Sequence, residues 1–178
     1  MQGELPPAGV SLNPLQTAQH SMGLAIIPFE TRYADNFRDL NLAWVEKYFQ
    51  VEEKDREMLE HCEENIIAPG GTIFFARYLD NIVGCFAFIR LGPDVYELGK
   101  MAVSPEFQGL HIGQELMKFA IDHGRSKNWR KIVLYSNTKL GSALHIYRKF
   151  GFREVELEKE VPYVRSNIKM ELELNKEL

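Results

Sequence analysis

Residues 101–114, MAVSPEFQGLHIGQ, carry the densest chemical signal in the chain. An apolar, strand-like stretch ends there, a loop containing Gly109 follows, and a helix begins near Gly113. The first turn of a helix has N–H groups with no intrahelical acceptor and a partial positive charge. A loop that delivers such groups to one point binds an anion, and glycine lets the backbone approach a phosphate closely. Two phosphate signatures are excluded. No Gly-Lys-Ser/Thr follows, so this is not a Walker loop, and the third glycine and acidic partner of a dinucleotide fingerprint are absent. An ordinary strand-to-helix turn would have the same composition.

The charge pattern supports an anionic ligand. The 178 residues carry a net charge of −4, but between Lys100 and Arg153 stand ten Lys/Arg against three acids. That segment is +7 and the remainder −11. Residues 52–64 hold seven acids against Lys54 and Arg56. A basic half suits an anionic ligand and an acidic half a cationic one, although two solvated surfaces would look alike. The acidic total argues against nucleic acid as a partner.

Other chemistries are excluded by type and spacing. The five histidines form no His-x-x-x-His or Glu-x-x-His pair, so no metal is expected. There is no Gly-x-Ser-x-Gly and no Cys/His nucleophile spacing. Cys62 and Cys85 are too few for a metal framework and read as reduced thiols. No run approaches a membrane span and no secretion signal is visible, so a cytoplasmic protein is expected, with no membrane partner.

The elements that must position the loop follow from periodicity. One domain, residues 23–178, is expected after a flexible leader over 1–22 rich in Pro and Gly. Residues 24–29 read as a strand, and 31–49 and 52–67 as helices stopped by Pro69-Gly70-Gly71. The period then changes to two. Residues 72–79, 82–91 and 95–103 read as consecutive antiparallel strands with turns at Asp80-Asn81 and Gly92-Pro93-Asp94. A helix over 113–127, a strand over 131–135, a helix over 140–150, a strand after Gly151-Phe152 and a last strand over 168–174 complete a mixed α/β chain.

Two motifs in this order resemble the GNAT superfamily of acyl-CoA-dependent N-acetyltransferases. The family's loop reads Gln/Arg-x-x-Gly-x-Gly/Ala, and this chain has Gln108-Gly109-Leu110-His111-Ile112-Gly113. The family's later motif ends Tyr-x-x-x-Gly-Phe, and this chain has Tyr147 to Gly151-Phe152. The resemblance spans residues 24–174. It implies a mixed, mostly antiparallel sheet of six to seven strands flanked by about four helices, with a splayed strand pair at the cofactor cleft. His111 stands where the family has its first motif glycine. Either its side chain points outward and leaves the N–H in place, or the imidazole meets a phosphate, or the site is degenerate.

The resemblance also implies roles. Strands 95–103 and 131–135 would splay around the pantetheine arm of acetyl-CoA. Met101, Ala102 and Val103 would line it with backbone groups. The N–H groups of Gln108, Gly109, Leu110, His111, Ile112, Gly113 and Gln114 would hold the pyrophosphate. Asn137 would reach the pantetheine amides, and Tyr147 would assist the leaving thiolate. A primary ammonium must lose its proton at a cost of about 4–5 kcal/mol at pH 7. Glu97, on the strand entering the gap, is the candidate base, with backbone carbonyls and water as the alternative. Trp44 and Tyr48 would line the acceptor pocket or simply pack a core. Tyr163 and Arg165 would touch the acceptor, with Arg165 either clamping a carboxylate or pairing with Glu158 or Glu160. The expected activity is acetyl transfer from acetyl-CoA to an amine of a small molecule or protein. A non-catalytic acyl-CoA-binding module is the alternative. Residues 166–174 would be the segment through which two copies pair as a homodimer.

Overall fold

The structure, a computed structural model, describes residues 23–175. The expected leader lies outside the described residues. Seven strands form one sheet: β1 (Leu24–Pro28), β2 (Thr72–Tyr78), β3 (Asn81–Gly92), β4 (Val95–Val103), β5 (Lys131–Ser136), β6 (Arg153–Val155) and β7 (Ile168–Glu173). Their order is β1-β2-β3-β4-β5-β7-β6. All neighbours are antiparallel except β4 and β5. Four α-helices cover the faces: α1 (Ala34–Tyr48), α2 (Glu53–Glu60), α3 (Ile112–Ser126) and α4 (Gly141–Lys149).

The central strands are apolar on both faces, which is why they read as near-continuous hydrophobic runs. In β2, Phe74 and Ala76 join the core under α3, while Ile73 and Phe75 join the core under α1 and α2. That is the period-two alternation of a pleated strand with helices on both sides. α3 buries Ile112, Leu116, Met117, Ala120, Ile121 and Gly124, a 3.6-residue stripe. His123, on the same helix, packs among the rings of Phe74, Phe88, Phe119 and Trp129.

Three boundaries differ from the periodic reading. A 3-10 turn over Thr31–Tyr33 precedes α1. The expected helix over 52–67 breaks after α2: His61 leaves helical geometry, and a wide turn over Glu63–Ile67 closes through Ala68 N–H to Glu63 O. α3 starts at Ile112, directly after His111. Residues 166–174 do not offer a fully free edge to a second copy. β7 pairs with β5 along its length, and β6 covers Lys169, Met170 and Glu171 on the other side.

The feature that positions the site is a fault in β4. Cys85 faces Ala102 and Ala87 faces Gly99, so Lys100 and Met101 together oppose Phe86 alone. This bulge puts Lys100 in the left-handed region, at φ 53°. A bulge bends its strand and increases the twist. β4 and β5 accordingly pair only over Val95–Glu97 and Lys131–Val133, and beyond that they diverge. No helix among the described residues is long and apolar enough to cross a membrane.

Candidate active site

The divergence of β4 and β5 opens a cavity of about 100 Å³. Glu97 sits at its root, as the last β4 residue paired to β5. It is 4% exposed, and its carboxylate has no hydrogen bond among the described residues. Burial pushes its pKa above the ordinary carboxylate value, against the pull of Lys100 and Lys54. Glu97 is therefore not the exposed strand residue that its charge alone would suggest. Tyr147, half-buried on α4, lines the same cavity. Its hydroxyl also has no hydrogen bond among the described residues, and burial raises its pKa. Met101 lines the cavity, whereas Ala102 and Val103 continue the ladder to β3.

Asn137 reaches the cavity wall but is already engaged. Its Nδ2 donates to Arg165 O at 2.6 Å, and its Oδ1 accepts from Lys139 N–H at 2.8 Å. It ties the end of β5 to the segment before β7, and only its remaining donor and lone pair are left for a ligand.

The loop before α3 presents a row of N–H groups, shorter than expected. Gln108 N–H donates to Pro105 O and Gln114 N–H to His111 O, so both ends are satisfied internally. Gly109, Leu110 and His111 have no backbone acceptor among the described residues, and Ile112 and Gly113 open the helix with unpaired N–H groups. Gly109 (φ 84°) and His111 (φ 59°) both take left-handed backbone. That conformation explains a glycine preference at the position of His111. The His111 side chain is exposed, with Nδ1 3.3 Å from Gln114 Nε2, so it points outward and leaves its N–H in place.

Two expectations are corrected. Arg165 pairs with neither Glu158 nor Glu160. It grips Asp55 bidentately, at 2.7 and 2.8 Å, with Glu52 at 3.5 Å. Glu158 is held instead by Lys169 and by the Tyr135 hydroxyl. Tyr48 does not line the cavity. It is 44% exposed and packs at a tilt against Trp44, which does line it. Tyr163 is buried, with its ring 4.3 Å from Lys100 Nζ and 4.9 Å from the Arg165 guanidinium carbon.

Asp55 and Lys100 are the residues that sequence reasoning missed. Asp55 is fully buried, and Lys100 Nζ donates to its Oδ1 at 3.1 Å. Arg165 and Lys100 together hold the Asp55 pKa down at about 2, despite burial, which alone would raise it. A signal existed: Asp55 falls in register with Leu59, Cys62 and Ile66, the buried stripe of its segment.

Comparison with known proteins decides the family. The model of the acetyltransferase (GNAT) family matches residues 37–152. The chain belongs to that family. The GNAT acetyltransferase of Staphylococcus aureus Mu50 superposes with a TM-score of 0.75 at 27% identity, covering 85% of this chain and 99% of that one. The spermidine N-acetyltransferase of Vibrio cholerae, in complex with CoA and spermine, shares the fold with a TM-score of 0.68 at 20% identity, over 86% of this chain and 96% of that one. The N-alpha-acetyltransferase RimI of Mycobacterium tuberculosis is 31% identical over 97 residues, 53% of this chain and 60% of that protein. The chain spans only part of three further curated relatives, with matches over 19%, 36% and 48% of their lengths. The mixed α/β architecture, with its interrupted β4–β5 pair, is that of the GNAT fold.

Proposed function

We propose that this GNAT-family chain moves an acetyl group from acetyl-CoA directly to a primary amine of a small molecule or protein. The observation that carries this reading is the meeting of Glu97 and Tyr147, both without hydrogen-bond partners among the described residues, in the cavity between the diverging strands.

The residues present fit the cofactor. The unpaired N–H groups of residues 109–113 lie at a helix start, where a pyrophosphate finds donors and a partial positive charge. The ten cations between Lys100 and Arg153 supply a favourable field. Bound acetyl-CoA would supply an acetyl group activated as a thioester. The chain's own part is proton handling and charge stabilisation. Glu97, whose buried carboxylate is made a better proton acceptor as burial raises its pKa, accepts the amine proton directly or through one water. Tyr147 stays protonated at neutral pH, so its hydroxyl can donate a hydrogen bond to charge that develops on the departing sulfur. A tyrosine is a weaker acid than a thiol, which makes hydrogen bonding rather than full proton transfer its favoured role.

The test is a calorimetric titration of acetyl-CoA and of CoA, followed by thiol release across a panel of amines. Affinity in the roughly micromolar to millimolar range with thiol release is expected. A folded chain that binds no acyl-CoA overturns the reading. Binding with no turnover on any amine would mark a non-catalytic acyl-CoA module.

A further inference from the structure

The acceptor end of the cavity contains two cations, and both are already committed. Lys100 donates to Asp55 at 3.1 Å, and Arg165 grips the same carboxylate through both terminal nitrogens at 2.7 and 2.8 Å. Asp55 does not line the cavity; Lys100 and Arg165 do, so the carboxylate holds them from behind. The Tyr163 ring packs against both cations, leaving the Lys100 side chain 6% and the Arg165 side chain 16% exposed. Glu97 is the cavity-lining charge that has no hydrogen bond or ion pair among the described residues. Lys100 and Arg165 cancel Asp55 and Glu97, and farther out Glu52, 3.5 Å from the guanidinium, is matched by Lys54, 5.2 Å from the Tyr163 ring centroid, so neither sign is in surplus.

A carboxylate brought into this cavity meets Glu97 and finds the fork of Arg165 occupied. An ammonium meets the carboxylate of Glu97, which no described cation contacts within ion-pair distance, although Lys100 and Lys54 act on it from farther off. Trp44, Phe49 and Leu140 offer apolar contact to the rest of the molecule. We infer that the acceptor is an amine with no carboxylate beside its amino group, and that Asp55 sets this preference by occupying both cavity cations. The inference rests on the N-acetyltransferase reading above and narrows its acceptor. Free amines and the amino ends of polypeptides share this chemistry, because the carboxyl of an N-terminal residue is an amide.

Three probes of one side chain separate charge from bulk: phenethylamine, phenylalaninamide and phenylalanine, each titrated calorimetrically into the chain saturated with CoA. Phenethylamine and phenylalaninamide should bind at least about tenfold more tightly than phenylalanine, the order expected of one like-charge contact at low screening. The tighter of the two names the source: phenethylamine a free amine, phenylalaninamide a polypeptide end. In Asp55→Asn, which leaves Lys100 and Arg165 without their counter-charge, phenylalanine should gain and the gap close. Equal binding of phenylalanine and phenylalaninamide in the unmodified chain overturns the inference, whether or not the variant folds. So does no binding of any probe, or a gap unchanged in a folded Asp55→Asn. Failure of acetyl-CoA itself to bind is a separate result and overturns the parent reading instead.

Discussion

Asp55→Asn is the perturbation whose size the structure specifies best. The side chain is fully buried and bridges Lys100 on the β4 bulge to Arg165 before β7. Its amide isostere keeps the shape and removes the charge. Removing one partner of a buried ion pair costs about 3–5 kcal/mol, because the remaining charges are left without compensation. Here two cations are left. At about 2–4 °C per kcal/mol for a chain of this size, the melting temperature should fall by about 6–20 °C. Titration supplies an independent check. The Asp55 pKa falls from 3.8 to about 2, which corresponds to about 2 kcal/mol of stability. The sign follows from the depressed value: this contribution is complete above the unfolded carboxylate pKa and is lost as pH drops from about 4 towards 2. Denaturant unfolding of both proteins at pH 7 and at pH 3 measures it. The difference should be several kcal/mol at pH 7 and visibly smaller at pH 3. A difference below about 1 kcal/mol at pH 7, the range of a surface pair, would refute the buried network, and so would a difference independent of pH.

Four further outcomes follow from the same geometry. Glu97→Gln should lower turnover by about 10²–10⁴-fold and abolish the acid limb of the pH–rate profile, which in the parent lies above the ordinary carboxylate range because burial raises Glu97; an unchanged profile would assign the base elsewhere. Tyr147→Phe should cut kcat by about 10²-fold, measured by thiol release, with acetyl-CoA affinity from calorimetry unaltered. His111→Gly should relieve left-handed strain, leave the chain as stable or up to about 1 kcal/mol more stable in thermal unfolding, and preserve CoA affinity, since only the backbone N–H faces the loop. His123, half-buried among aromatic rings and near Lys127, has its pKa lowered, so its contribution to stability is full above the ordinary imidazole pKa and shrinks as pH falls below about 6.5; His123→Leu should flatten the denaturation midpoint between pH 7.5 and pH 5.

Much of this architecture is written in short-range patterns. The switch from a 3.6-residue to a two-residue period at Pro69-Gly70-Gly71 separates the first helices from the strands, and Gly109 and Gly151 sit where positive φ is needed. Such signals are legible because each is set by sterics within a few residues. The loop motif and the Tyr147–Phe152 motif are local in the same sense. The break after Glu60 was not legible, since the apolar register runs on through Cys62 and Ile66 while the backbone does not.

By itself, then, the chain's sequence determined the order of elements, the glycine-bearing loop before α3 and the placing of Glu97 and Tyr147 on the elements that flank the cleft. Tertiary structure alone decided which charges meet. Asp55 lies 45 residues from Lys100 and 110 from Arg165, and no local pattern distinguishes those partners from Glu158, Glu160 or solvent. It likewise decided that Glu97 is buried, that Tyr48 lies outside the cavity and that Gln108 and Gln114 spend their N–H groups internally. The physical reason is that a charge's partner and dielectric are properties of the space around it, and that space is assembled from segments distant in the chain.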